Sequence, residues 1–359
     1  MDGTGLRILV IQTAFIGDVV LTTPMLRALR RSRPDAEITV LVKPEAAPFL
    51  KGHPDIDDVM IFDKGKEHRY GGMLRLIRQI RAKKFHVLLS PHQSHRTGLI
   101  AMFSGIPVRY GYESAGFARF AYNRHLKRDL KQHEIYRLLL FLKEGYCSEL
   151  PPVHEIDPSL ILSESQSSAL KAVQLLDSLA IGGRGSKPVL LAISSIWPTK
   201  RWTPYGFAEL AGRLFDAYGQ EILLVGSKGD SAIAEQVLSF AREMLPASTI
   251  PHIHNICGQT DLLTLFSLMK RSMLVVSNDS APVHFGCAAG VPVIAIFGAT
   301  TPSLGYAPIA PRSAVAEIDL PCRPCGTHGA KKCPLEHFRC MKDLTAAQVF
   351  ETVRAVVEH

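Results

Sequence analysis

The sequence has no apolar run that is both long enough and clean enough to cross a bilayer as a helix. Residues 280–311 carry no Lys, Arg, Asp or Glu, but Pro282, Pro292, Pro302 and Pro308 interrupt them. A secretory leader is not expected either, because Gly17 and Asp18 break the first apolar run and no small-residue cleavage site follows. A cytoplasmic location is expected. The first strand-to-helix turn lacks G-x-G-x-x-G, which disfavours a nicotinamide dehydrogenase. Stable disulfides between the seven cysteines are not expected in a reducing compartment.

Acidic residues are scarce in one half. Residues 1–150 hold 24 Lys and Arg against 15 Asp and Glu, whereas the remainder holds 17 against 18, so the net charge of +8 sits in the first half. Such a half should face an anionic partner: acidic glycolipid, membrane headgroups or nucleic acid. The last lacks any known recognition module. At 359 residues with a hydrophobic fraction of 47%, the chain is expected to form two domains with real cores.

Strand, turn and helix patterns alternate throughout, and Met273 to Thr300 is the clearest case. Two β-branched apolar runs, Met273 to Val276 and Val293 to Phe297, flank a helix stopped by Gly290 and Pro292. The turn Ser277-Asn278-Asp279-Ser280 opens that helix, whose first amides and positive dipole end form a seat for phosphate. His284 lies one turn further on, and Phe297 to Pro302 forms a second polar turn. Two adjacent polar turns at strand ends define a crevice.

The first half begins with strand Arg7 to Gln12, a turn through Thr13, Phe15 and Gly17 to Asp18, and one helix running to about Arg33. A carboxylate there serves either as a cap and dipole partner or as a general base. Strand Phe85 to Leu89 leads to a loop with His92, His95 and Arg96, suited to hydrogen-bonding an anionic acceptor; no third ligand has metal-site spacing. Residues 111–145 mix aromatics with Arg119, Arg124, Lys127, Arg128 and Lys131, which fits a headgroup surface or a solvated loop before a helix from His133 to Lys143. The second half restarts at strand Val189 to Ile193, and the turn Ser194 to Trp202 supplies hydroxyls and two cations. Cys322, Cys325, Cys333 and Cys340 remain open between structural zinc and free thiols in a packed loop.

Five stretches taken together resemble one family: QTAFIGDVVLTTP from Gln12, GIPVRYGY from Gly105, WPTKRW from Trp197, VSNDSAPVHFGCAAGVPVIAIFGATTP from Val276, and CRPCGTHGAKKCPLEHFRCM from Cys322. Their order and spacing are similar to glycosyltransferase family 9, the ADP-heptose:lipopolysaccharide heptosyltransferases, and most like its heptosyltransferase II branch. The resemblance implies an α/β fold of the GT-B type, with two Rossmann-like doubly wound domains facing a central cleft. On that reading residues 1–165 bind acceptor, 166–187 link, 188–345 bind nucleotide-sugar, and a helix in 346–359 packs back on the first domain. It implies inverting transfer of a heptose to the lipopolysaccharide inner core at the cytoplasmic face of the inner membrane.

By resemblance Asp18 is the base and Lys200 holds the diphosphate. Ser195, Thr260, Asp279, Ser280, Ala281 and His284 complete the donor site, and Thr13, Phe15, Gly17, His92, His95 and Arg96 serve the acceptor. Neither a metal nor a cofactor is implied beyond the ADP-sugar donor, and the partners are that donor, an anionic core acceptor and the membrane surface. The chain departs from the family pattern at Ala281, where the motif has glycine, and at Phe15 and Gln12. A nucleotide-sugar epimerase, a transferase with another donor or acceptor, and a non-catalytic nucleotide-sugar binder are the competing readings.

Overall fold

The computed structural model describes residues 5–63, 70–181 and 186–358. Between Ser163 and Glu164 the chain divides into two compact units.

In the first unit the elements run β1 (Arg7–Ile11), α1 (Ile16–Leu21), α2 (Thr23–Ser32), β2 (Glu37–Val42), α3 (Ala47–Leu50), β3 (Asp58–Ile61), α4 (Tyr70–Ala82), β4 (Val87–Ser90), α5 (His95–Phe103), β5 (Val108–Tyr112), β6 (Arg124–Leu126) and α6 (Glu134–Gly145). A 3-10 turn spans Gly116–Ala121 between β5 and β6. The strands form a parallel sheet in the order β3-β2-β1-β4-β5-β6, with Ile8 opposite Ile38 on one side and Val87 on the other. Sequences such as RILVI and VLLS are almost wholly apolar because helices cover both faces of a parallel sheet.

The second unit runs α7 (Gln166–Ser178), β7 (Val189–Ala192), α8 (Pro204–Tyr218), β8 (Ile222–Val225), α9 (Ser231–Met244), β9 (Ile253–Asn255), α10 (Leu262–Met269), β10 (Leu274–Asn278), α11 (Ala281–Ala289), β11 (Val293–Ile296), β12 (Ser313–Ala316), α12 (Arg339–Lys342) and α13 (Ala346–Val357). Its parallel sheet has the order β9-β8-β7-β10-β11-β12. Both sheets therefore share one winding: three strands step outward, the chain returns to the middle, and three step out the other way. The reversal opens a crevice at the strand C-ends, between β1 and β4 in one unit and β7 and β10 in the other.

The doubly wound α/β class agrees with the sequence reading, but several boundaries need correction. The single helix expected after Asp18 is two helices broken at Thr22, whose hydroxyl donates to the Asp18 carbonyl at 2.7 Å just before Pro24, which has no amide to continue the ladder. The stretch 166–187, expected as a linker region with a helix between its linker segments, contributes that helix, α7, to the second unit, where it is fastened. Ser267 Oγ donates to Ser168 Oγ at 3.0 Å, and Lys171 pairs with Asp261 at 3.3 Å. Part of that linker, 182–185, lies outside the described residues. The C-terminal helix α13, expected on the first domain, packs against α8, β11 and β12 of the second unit, burying Val349 and Val353 completely. Its inner stripe of Ala346, Val349 and Val353 has the helical spacing of a core face.

Candidate active site

In the second unit, the crevice between β7 and β10 is lined by the two turns that follow these strands. The sequence reading paired the β10 turn with the turn after β11, but those strands lie on one side of the winding reversal; the loop after β7 is the true opposite wall. Asn278, the last residue of β10, ties the walls together. Its Oδ1 accepts from the Trp202 amide at 2.8 Å, while the Trp202 indole donates to the Leu344 carbonyl at 3.0 Å. Thr199 is held equally firmly, its hydroxyl exchanging hydrogen bonds with the amide and carbonyl of Ala330 at 2.7 and 3.0 Å.

Between those two anchors stands Lys200. Its Nζ lies 2.6 Å from Asp279 Oδ2, with both side chains largely buried. The same carboxylate oxygen accepts from the Thr300 hydroxyl at 2.6 Å, so the turn after β11 contributes through Asp279. A lysine ammonium has three donors, and one bond to Asp279 leaves two for an anion. Ser195 is buried, and its Oγ accepts from the Trp197 amide at 3.3 Å, which leaves its hydroxyl proton for another acceptor.

Ser280 is the N-cap of α11 and its hydroxyl turns back to the Asn278 carbonyl at 3.1 Å. Pro282 brings no amide and the Val283 amide donates to Ser280 at 3.0 Å, so the anion donors of this helix end are the Ser280 and Ala281 amides. Ala281 begins α11 and is not among the residues with positive φ, so the missing motif glycine costs no backbone strain. His284 is buried in the first turn of α11, and Thr260 is half-buried in the turn ahead of α10.

Arg323 escaped the sequence reading. Its guanidinium donates to the carbonyls of Gly298, Ile318 and Thr300, the last at 2.8 Å, and pairs with Glu317 at 2.6 Å. Together with the Cys325 amide, which donates to the Ala299 carbonyl at 2.8 Å, it clamps the turn that carries Thr300. The cysteine-rich segment thus buttresses both turns that hold Lys200 and Asp279. All seven cysteines are free thiols; Cys322 Sγ lies 4.0 Å from His337 Nε2, and burial pushes the Cys340 thiol up to about 11. Among the described residues no group of three or more His, Cys, Asp or Glu is arranged to hold a metal ion.

The crevice of the first unit lies between β1 and β4. Thr13, fully buried after β1, shares a hydrogen bond of 3.1 Å with Thr97 in the first turn of α5, joining the two walls. Asp18 is the third residue of α1, and its Oδ2 accepts from the Phe15 amide at 3.2 Å, so the capping role is real. Burial nevertheless pushes the Asp18 carboxyl up to about 6, with the charge of Glu134 adding to the rise and the Phe15 amide and Arg128 opposing it.

Glu134 and Arg128 were not singled out as neighbours of Asp18 by sequence. Glu134, buried at the start of α6, is paired with Arg128 at 2.5 Å and Arg137 at 3.1 Å. Arg128 is thereby drawn out of the exposed basic set that residues 111–145 suggest. Gly17 lies within α1, and Phe15 is 55% exposed beneath the Lys43 ammonium, which sits 4.8 Å from the ring centroid. His95 and Arg96 open α5, His95 exposed and Arg96 half-buried, and His92 is half-buried in the loop before it.

The profile of glycosyltransferase family 9 (heptosyltransferase) matches residues 73–337. The chain belongs to this family. Among family 9 relatives, lipooligosaccharide heptosyltransferase 2 of Haemophilus influenzae is 25% identical over 83% of this chain and 84% of its own length. The fold is shared with a crystal structure of a family 9 glycosyltransferase from Veillonella parvula, with a TM-score of 0.83, 23% identity, and coverage of 100% of this chain and 99% of that one. A second structure, the ADP-heptose lipopolysaccharide heptosyltransferase II of Escherichia coli, superposes with a TM-score of 0.77 at 22% identity, covering 98% and 99% of the two chains. The two doubly wound sheets thus share the GT-B-type fold of family 9 structures. Among the described residues no helix is long and apolar enough to cross a membrane.

Proposed function

We propose that this heptosyltransferase-family chain transfers a heptose from ADP-heptose to the inner core of lipopolysaccharide with inversion, at the cytoplasmic face of the inner membrane. The observation that carries the reading is the pairing of chemistries at the two winding reversals. One crevice offers a carboxylate raised to about 6, and the other offers a lysine, hydroxyls and a helix N-terminus for a diphosphate.

In the reaction the acceptor hydroxyl oxygen bonds to the anomeric carbon as the bond from that carbon to the diphosphate oxygen breaks. The hydroxyl proton passes to Asp18, and ADP departs with the electron pair. A base with a pKa near 6 is ionised at neutral pH yet far more basic than an ordinary aspartate. Lys200, Ser195 and the Ser280 and Ala281 amides stabilise the charge developing on the diphosphate. Asp279 keeps Lys200 in place, while His284 and Thr260 contact the sugar and adenine ends of the donor. Thr13, Phe15, Gly17, His92, His95 and Arg96 receive the anionic acceptor.

The test is nucleotide release from ADP-heptose in the presence of truncated lipopolysaccharide cores. Acceptor-dependent ADP release with a heptosylated product is expected. Binding of ADP-heptose with no product on any core would leave a non-catalytic binder, and turnover without acceptor would point to the epimerase reading.

A further inference from the structure

The basic half of the chain resolves into a surface with a definite shape. Helix α5 packs on the 3-10 turn at Gly116–Ala121 so closely that a Cβ added at Gly98 would stand 2.5 Å from the Ala118 Cβ. This contact leaves the outer sides of both elements bare. Phe117 and Phe120 are 65% and 62% exposed and touch edge to face, with ring centroids 5.6 Å apart. On α5, Leu99, Met102 and Phe103 follow the i, i+3, i+4 spacing of one helix face and are exposed too.

Basic side chains surround these apolar groups. Arg119 lies over the Phe120 ring at 4.9 Å, and Arg124, Lys127 and Lys131 follow on the exposed segment beyond the 3-10 turn. On the other flank α4 packs against α5 and exposes Leu74, Arg75, Arg78 and Arg81; Arg81 Nε donates to the Phe103 carbonyl at 2.8 Å. Residues 70–132 contain 12 Lys and Arg but only Glu113 and Asp129 as acids. Arg109 and Arg128 are used internally, and the others named here are exposed.

Exposed aromatics set among cations, with almost no opposing charge, match the boundary between acyl chains and anionic headgroups. Rings enter the interface there while Arg and Lys reach the phosphates. We propose that the face built by α4, α5 and the 3-10 turn docks the protein on an anionic lipid bilayer. The inference rests on the lipid-linked acceptor proposed above and deepens it. The helix that exposes Leu99 and Phe103 begins at His95 and Arg96, so docking brings the carbohydrate of an embedded acceptor to the same helix's N-terminus.

Full-length protein is mixed with phosphatidylcholine vesicles, with or without phosphatidylglycerol, and sedimented at two salt concentrations. Binding to the anionic vesicles alone, weakened by salt, is expected. Phe117→Ser/Phe120→Ser should lower the partition coefficient about tenfold or more, and Arg78→Glu/Arg119→Glu by a similar factor. Circular dichroism should show both folded, since all four side chains are exposed. The variants should transfer heptose to a water-soluble, delipidated core at the wild-type rate and lose activity on a vesicle-embedded acceptor. Unchanged sedimentation of Phe117→Ser/Phe120→Ser would overturn the proposal. So would concentration-dependent dimerisation abolished by the same substitutions, which would assign the face to a second copy. Failure on the soluble core by the wild type would strike the proposed reaction and leave the docking surface standing.

Discussion

Asp18 carries two duties that pull in opposite directions. It caps α1 through the Phe15 amide, and its burial raises the carboxyl from 3.8 to about 6. Because the folded-state value lies above the unfolded one, the folded protein keeps the proton longer. Ionised Asp18 then costs stability that is absent below about pH 4, grows between about 4 and 6, and is complete above, at most about 3 kcal/mol. Two outcomes are expected of Asp18→Asn. Turnover falls by about two to four orders of magnitude while ADP affinity is retained, as steady-state kinetics and calorimetry would show. Its Tm at pH 8 rises relative to wild type, with no gain at pH 4, because an amide keeps the cap without the buried charge. In the wild type, kcat/KM should climb with pH through about 6 and then level off. Asp18 itself was legible from its place after a strand and before a helix. The neighbours that tune it were not, since Glu134 and Arg128 stand more than a hundred positions away and ordinary spacing rules see only local pairs.

Helix α11 and the strands beneath it show how elements hold the groups proposed to bind the donor. A Cβ on Gly286 would lie 2.7 Å from Val293 Cγ2 and 3.4 Å from the Val275 Cβ, so the helix sits directly on β10 and β11. Gly286→Val should lift the helix start away from Lys200, and we expect weaker ADP binding together with a Tm lowered by several degrees. Lys200→Ala removes the charge partner of the buried Asp279 carboxylate and, on the proposed function, a phosphate ligand at once. We expect ADP affinity to drop about tenfold to a hundredfold and stability to fall by about 3 kcal/mol, read by calorimetry and denaturant melts. Strands such as β1, β7 and β10 were readable because each contains an uninterrupted apolar run. The three-residue β6 and β9, which carry Arg124, His125, His254 and Asn255, have no such run and take their strand form from pairing with β5 and β8.

Across the whole molecule, one winding is used twice with different charge. The first unit carries the excess of cations and the raised carboxylate, and the second carries the groups proposed to seat the diphosphate in an almost neutral half of the sequence. Hydrogen exchange should therefore show ADP protecting residues 194–202 and 278–284 most strongly. Equal protection of residues 13–18 by ADP alone would contradict the division of labour.

What the sequence determined by itself was local: apolar runs of strand length, the polar turns at their ends, the Asp18 and Ser277 to Ser280 positions, and the uneven charge. These follow from short-range chemistry, in which a turn residue or a cap is visible beside the element it serves. Only the tertiary structure decided which turns face each other, because the return of the chain to the middle of each sheet makes the Lys200 loop, and not the turn after β11, the wall opposite Asp279. It also assigned Asn278 and Arg323 their clamping roles and gave the cysteine-rich segment its buttressing one. Such roles arise when distant backbone groups must be satisfied in a buried place, and nothing in the neighbouring sequence announces them.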